Sequence, residues 1–385
     1  MNYSTTLEFA RSMDKADSLA PFREKFHIPK INGTECAYFC GNSLGLQPKS
    51  AKELIDQELK DWAELGVHGH FKAKRPWFSY HEMFAGPLSR LTGALPSEVV
   101  AMNALTVNLH LLMISFYKPS GKRFKILCEK KAFPSDQYAM ESQVRLRGFN
   151  PMDAIIEVGA REGEHCLRNE DIFTAIEANR EELALVMFGG VNYYTGQKFD
   201  MQAIACSAKS AGAMVGFDLA HAAGNVALRL HDWEVDFACW CSYKYLNSGS
   251  GSVAGAFVHE KHFSYDFDRL AGWWGYDKTT RFNMEKGFKP IPAAEGWQLS
   301  NAPVLSMSAH KAALDIFDEA GMEALFEKRN NLTGYMEFLI NECGGNFKII
   351  TPSKKEERGS QLSLVCGENG KEIYDEIGRY GIVAD

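Results

Sequence analysis

Two residues at the ends of neighbouring apolar runs could do chemistry together. Asp218 follows the run Met214 to Phe217 and opens Asp218-Leu219-Ala220-His221, while Lys244, in Ser242-Tyr243-Lys244-Tyr245, follows Val235 to Cys241. Taken singly, each has an ordinary reading. An acid after a strand is commonly a helix N-cap, and a lysine closing an apolar strand is costly to bury unless it is paired or covalently used. The run Asn247-Ser248-Gly249-Ser250-Gly251-Ser252 is by itself a flexible turn. Taken together, the two strand ends, 26 residues apart, deliver a carboxylate and an amine to one edge of a sheet. That pair suits pyridoxal 5′-phosphate. The acid sits against a protonated pyridine nitrogen and keeps the ring an electron sink, and the lysine reaches the aldehyde carbon as a Schiff base.

Such a cofactor also needs a phosphate cradle and a ring platform. Asn103 to His110 opens an apolar helical stretch that runs to Phe116, and amides at a helix start with the Thr106 hydroxyl beside them form an anion site. The same residues also read as a commonplace helix start. Phe133-Pro134-Ser135-Asp136 follows the run Phe124 to Glu129, so Phe133 stands at the sheet edge, where it is either a stacking aromatic or a core residue.

The elements that must position these groups are legible in the middle of the chain. Phe124 to Glu129, Leu183 to Phe188, Ala213 to Asp218, Val235 to Ser242 and Val253 to His259 are short and β-rich, and polar or glycine-containing loops follow them. This is the layout of a buried, largely parallel sheet with its site at the carboxyl ends of the strands. Ser306 to Cys343 carries helical periodicity broken at Gly321, Gln361 to Cys366 alternates like a half-buried strand, and Glu372 to Arg379 reads as helix. The expected organisation is an α/β fold in two domains: a large domain over 51–304, and a smaller α+β domain from 1–50 and 305–385.

The 385 residues and 45% hydrophobic content suffice for a large core. A net charge of −7 gives no electrostatic reason to expect nucleic acid or an anionic membrane as partner. The first 22 residues mix charges without an apolar stretch, and no segment reaches the roughly 18 apolar residues of a membrane span, which points to the cytosol. The nine cysteines contain no Cys-x-x-Cys pair, so neither disulfides nor a metal site is expected; Cys239 and Cys241 alternate as buried thiols on one strand face.

Over nearly its whole length the chain resembles the kynureninases, the animal type more than the common bacterial type. The resemblance rests on Phe39 to Lys49 (Phe-Cys-Gly-Asn-Ser-Leu-Gly-Leu-Gln-Pro-Lys), Asn103 to His110, Lys131 to Asp136, Asp218 to Ala222 and Trp240 to Asn247, in that order. It implies the type I fold of pyridoxal-phosphate enzymes, a homodimer, and hydrolysis of L-kynurenine to anthranilate and L-alanine in tryptophan catabolism and NAD synthesis. Leu105 and Thr106 match phosphate-binding positions, Phe133 the stacking aromatic of the Phe133, Pro134, Ser135 and Asp136 cofactor run, and Asp218 the partner of the pyridine nitrogen. His221 matches a cofactor-pocket histidine, Lys244 the Schiff-base lysine, and Tyr243 a tyrosine at the phosphate able to assist proton transfers. Trp273 and Asn301 match cofactor-pocket residues lent across a dimer interface, although Trp273 and Trp274 are otherwise ordinary apolar anchors. Ser43, His70 and Asn301 match positions around the substrate ring, and His70 with Asn301 favours 3-hydroxykynurenine as a second substrate. Gly189 departs from the pattern, standing where a serine is usual. The family's carboxylate-binding arginine falls in the stretch that would follow Asp385 and is not assigned here; Arg281 would be an alternative anchor if a chain ending at Asp385 kept full activity.

Two other readings remain. The first is another enzyme of this fold, an aminotransferase or a cysteine desulfurase with Cys366 as its reactive thiol, although the alternation around Cys366 argues for a fixed strand position. The second is a catalytically silent binding protein on the same fold.

Overall fold

Runs that are apolar on both faces can only be satisfied in the middle of a layered structure, and these runs lie there. The computed structural model describes residues 2–264, 266–345 and 347–385. One sheet contains β1 (Val99–Ala101), β2 (Lys125–Glu129), β3 (Ile155–Val158), β4 (Leu183–Gly189), β5 (Met214–Asp218), β6 (Phe237–Trp240) and β7 (Gly255–Val258). Their spatial order is β1-β7-β6-β5-β4-β2-β3. The pairings from β6 through to β3 are parallel, whereas β7 runs antiparallel to both β6 and β1. The reversal into β7 uses left-handed backbone at Asn247, Gly249 and Gly251, which glycine adopts without steric cost.

Alternate residues of each strand enter different cores. Leu127, Val186, Phe188, Phe217 and Trp240 belong to one apolar cluster, together with Ile172, Ile176, Ile204 and Ala208 from the helices Asn169–Ala178 and Met201–Ser210. Ile126, Cys128, Leu185, Met187, Phe237 and Cys239 belong to the other, with Leu109, Leu112 and Phe116 of Leu105–Phe116 and Ala139, Met140 and Val144 of Pro134–Leu146. Helices therefore cover both faces, and each large apolar side chain removed from water contributes roughly 1.5–3 kcal/mol.

The expected strands appear with ends shifted by up to three residues; β1 and β3 are additional. Gly321, at φ 76°, separates the helices Val304–Ala320 and Met322–Glu342. Beyond them Phe347–Ile349 pairs antiparallel with Leu364–Cys366, and Ile382–Val383 pairs parallel with Ala37–Tyr38. The helix Val304–Ala320 packs on Ser50–Leu65. Among the described residues no helix is long and apolar enough to cross a membrane.

Candidate active site

Parallel strands end together, so residues far apart in sequence share one edge. In register, Asp218 of β5 lies beside Gly189 of β4 and Cys239 of β6, and Lys244 follows five residues after Cys239. These ends form a cleft lined by Leu105, Thr106, Phe133, Ser135, Asp136, Asp218, His221, Tyr243 and Lys244. Nine of the expected site residues thus converge. Pro134 sits beside them at the first turn of the helix Pro134–Leu146, outside the lining.

Lys244 Nζ lies 2.8 Å from His221 Nε2 and 5.6 Å from the centre of the Phe133 ring. Burial, reinforced by the Lys244 cation, lowers the His221 pKa to about 3. The imidazole is therefore neutral; its Nε2 accepts from the lysine and its Nδ1 carries the hydrogen. That Nδ1 is buried and has no partner within the protein. Phe133 is 48% exposed, with its face toward Lys244 and Tyr193 packed edge-on at 5.3 Å.

Asp218 is 6% exposed and accepts a 2.7 Å hydrogen bond from the Ala220 amide. Burial pushes both Asp218 and Asp136 up, and the hydrogen bond between them favours the anion on Asp218 and the proton on Asp136. Two carboxyls in contact cannot both ionise easily. At the other side of the cleft Thr106 Oγ1 and Ser135 Oγ are 2.8 Å apart, each in the first turn of a helix that no side chain caps. Two uncapped helix starts with adjoining hydroxyls present unsatisfied N–H donors to an anion. Burial pushes Tyr243 up to about 12 and Cys241 up to about 11, so the phenol and the thiol both keep their protons at neutral pH.

A cleft with one free amine, a carboxylate 26 residues before it, an orphaned imidazole N–H and an anion cradle fits pyridoxal 5′-phosphate. The remaining expected residues do not line this cleft. Ser43 lies in a segment held to its rim, since the Gly45 amide donates to the Tyr243 carbonyl at 2.8 Å and Tyr38 Oη donates to the Leu44 carbonyl at 2.8 Å. His70 packs edge-on against Trp77. Trp273 is 45% exposed, and Asn301 is also exposed. Arg281 is corrected as a carboxylate anchor: it is 2% exposed, donates to the Trp274 and Tyr276 carbonyls, and packs on the Trp274 and Phe78 rings. Its guanidinium is a buried cross-link between two backbone carbonyls and two rings.

Glu129, Val191, Tyr193 and Cys241 also line the cleft. Sequence reasoning passed them over. Glu129 ends its strand just as Asp218 does, and that position was the available signal.

Fold and site together define the class, that of the type I pyridoxal-phosphate-dependent enzymes. Among solved structures, the apo cysteine desulfurase of Thermococcus onnurineus superimposes with a TM-score of 0.74 at 16% identity, covering 100% of this chain and 88% of that one. A cysteine desulfurase of Escherichia coli gives 0.75 at 15% identity, over 94% of this chain and 86% of that one. At such identity these likenesses concern the fold alone.

The family is set by closer relatives. The kynureninase of Flavobacterium johnsoniae is 54% identical across 100% of this chain and 92% of its own length, and the human kynureninase 47% identical across 100% and 87%. A family model described as the kynureninase C-terminal domain matches residues 325–385. The chain is an enzyme that belongs to the kynureninase family, whose relatives here are bacterial as well as animal. The half-buried Cys366 lies in the strand Leu364–Cys366, a fixed position unlike that of a mobile nucleophile.

Proposed function

We propose that this chain hydrolyses the Cβ–Cγ bond of L-kynurenine to give anthranilate and L-alanine, and that it also takes 3-hydroxy-L-kynurenine to 3-hydroxyanthranilate. The observation that carries the reading is Lys244 Nζ held 2.8 Å from a neutral His221 in the cleft that ends at Asp218, in a chain 47–54% identical to kynureninases along its length. Pyridoxal 5′-phosphate, when bound, supplies an electron sink for the carbon that gives up its proton. Lys244 would hold it covalently, Asp218 would face its ring nitrogen, and Phe133 would flank its ring. Leu105, Thr106, Ser135 and Tyr243 would surround its phosphate.

Each residue then has a task set by its surroundings. The Lys244 amine, once freed by substrate, takes the α-proton as general base. His221 accepts from Lys244 Nζ and so fixes the direction of its lone pair. Asp218 keeps its negative charge because Asp136 holds the shared proton. Water adds at the γ-carbonyl, the bond to Cγ breaks, and Tyr243, still a phenol at neutral pH, with Lys244 returns a proton to the remaining carbon.

Trp273 and Asn301, in this reading, serve the neighbouring copy's cleft in a homodimer, and His70 with Ser43 and Asn301 surrounds the substrate ring. In support, Trp273 belongs to an exposed aromatic patch: it packs edge-on against Phe282, Phe282 stacks on Phe78, and Phe78 stacks on Phe71. Phe71 and Phe282 are 65% and 56% exposed, a concentration of apolar surface that marks interaction sites. The division into a large domain over 51–304 and a smaller one from 1–50 and 305–385 is part of the same proposal. So are the cytosolic setting and the place in tryptophan breakdown.

The experiment is anthranilate fluorescence after L-kynurenine is added to the cofactor-loaded protein, repeated with the 3-hydroxy substrate. Borohydride reduction followed by peptide mass mapping should place the cofactor on Lys244. Bound cofactor without anthranilate release would overturn the substrate, and an adduct on another lysine would overturn the site.

A further inference from the structure

We propose that Glu129 is an additional cofactor-contact residue, which carries a proton and offers its carboxyl O–H as a hydrogen-bond donor inside the cleft. The inference rests on the reading that the cleft holds pyridoxal 5′-phosphate. Glu129 ends β2, is 4% exposed and lines the cleft beside Gly189 and Asp218. Its Oε2 accepts from Asn192 Nδ2 at 2.8 Å. The orientation of that amide is fixed, because Asn192 Oδ1 is taken by the Tyr194 amide, the Thr195 amide and Thr195 Oγ1 at 3.0, 2.9 and 3.1 Å. The Gly189 backbone also hydrogen-bonds to the carboxyl. None of the ion pairs among the described residues includes Glu129.

The space around it is specific. A Cβ built on Gly189 would lie 2.9 Å from Glu129 Oε1, closer than a real contact allows. The absence of a side chain at 189 therefore lets the Glu129 carboxyl occupy that part of the cleft wall.

The charges decide what form the acid takes. Seven titratable groups face the cleft around Glu129: Asp218 from β5, Asp136 from the helix at Pro134–Leu146, Tyr193, His221, Cys241, Tyr243 and Lys244. His221, Cys241 and Tyr243 are neutral, and Lys244 is the sole cation of the lining. Asp218 already holds the negative charge that opposes it. A third carboxylate, buried and without an ion-pair partner, is unfavourable there: burial raises the Glu129 pKa to about 7 against the pull of the Asn192 and Gly189 hydrogen bonds, which favour the anion, and the Asp218 charge adds to the rise. An anionic cofactor adds further negative charge, which favours the protonated form still more. A neutral acid in an apolar setting is a good donor to an anion, and it becomes a repulsive neighbour once it ionises.

The test compares wild type with Glu129→Gln and Glu129→Leu. The probe is pyridoxine 5′-phosphate, which has no aldehyde and binds without a bond to Lys244. Its dissociation constant is measured on the cofactor-free protein at pH 6, 7 and 8. The rest of the cleft and the probe's phosphate are common to all three proteins, so the ratio of variant to wild type isolates position 129. If only the protonated acid supports binding, wild-type affinity relative to Glu129→Gln should fall about tenfold from pH 6 to pH 8. Gln, which cannot ionise but still donates, should match wild type at pH 6, while Leu should bind more weakly than Gln at every pH. Thermal melting of the cofactor-free proteins checks that all are folded. A ratio independent of pH, or a Gln variant much weaker at pH 6, overturns the proposal. Failure of wild type to bind the probe at all would instead overturn the cofactor reading.

Discussion

The contact between Gly45 and the lysine-bearing turn should be the most sensitive point outside the cleft. A methyl group at position 45 would stand 2.4 Å from the Lys244 carbonyl oxygen, 2.2 Å from Asn247 Oδ1 and 2.7 Å from Asn247 Cα. The Asn247 side chain can swing away, but the two backbone atoms cannot without moving the turn that sets the direction of Lys244. Overpacking of this kind costs about 1–3 kcal/mol. The Gly45 amide to Tyr243 carbonyl bond, stretched or lost, costs about 1 kcal/mol more. Gly45→Ala should therefore lose about 2–4 kcal/mol of the docking of the segment that carries Ser43, roughly 30- to 1,000-fold if all of it appears in ligand affinity. The assay is the cofactor's dissociation constant and absorbance band, with kcat and KM for kynurenine. The control is Gly41→Ala, where a Cβ meets nothing within 4 Å and no change is expected. Wild-type affinity, spectrum and kinetics in Gly45→Ala would show that this contact does not position Lys244.

Three further outcomes follow from the same geometry. Asp218→Asn should keep the cleft's shape but remove its fixed charge, slowing α-proton removal roughly 100- to 1,000-fold in single-turnover absorbance measurements; a normal rate would remove Asp218 from its assigned place. Mixing Lys244→Ala with Trp273→Ala protein should restore about a quarter of wild-type activity through heterodimers with one intact site, and no recovery despite proven subunit exchange would place the whole site within one chain. His310 is buried, shares a hydrogen bond with Ser248 Oγ through Nδ1, and has its pKa lowered from 6.5 to about 3 by burial. Its contribution is complete above pH 6.5 and is lost as pH falls toward 3, by about 1.4 kcal/mol per unit. His310→Gln should accordingly show about 2 kcal/mol less acid destabilisation than wild type between pH 7 and pH 5 in urea unfolding.

The sequence by itself determined the strand ends. Asp218 and Lys244 were legible because each closes an apolar run, and a buried parallel sheet brings such ends to one edge whatever the loops do. The helix start at Leu105 and the aromatic at Phe133 were legible for the same local reason. Motifs matched to a known family supplied roles for Tyr243, His221, Trp273 and Asn301 that no local pattern contains.

Which groups carry protons and which are closed off depends on packing between distant segments. Arg281 stood as an available cation in the sequence, yet its guanidinium is enclosed by two carbonyls and two aromatic rings. Glu129 looked like the polar end of a strand, and its character comes from Asn192, 63 residues onward, and from the strand that sets Gly189 between it and Asp218. The physical reason is common to both. Apolar periodicity is a property of neighbours along the chain, whereas ionisation depends on desolvation and on charges across the fold, and those exist only once distant strands are packed side by side.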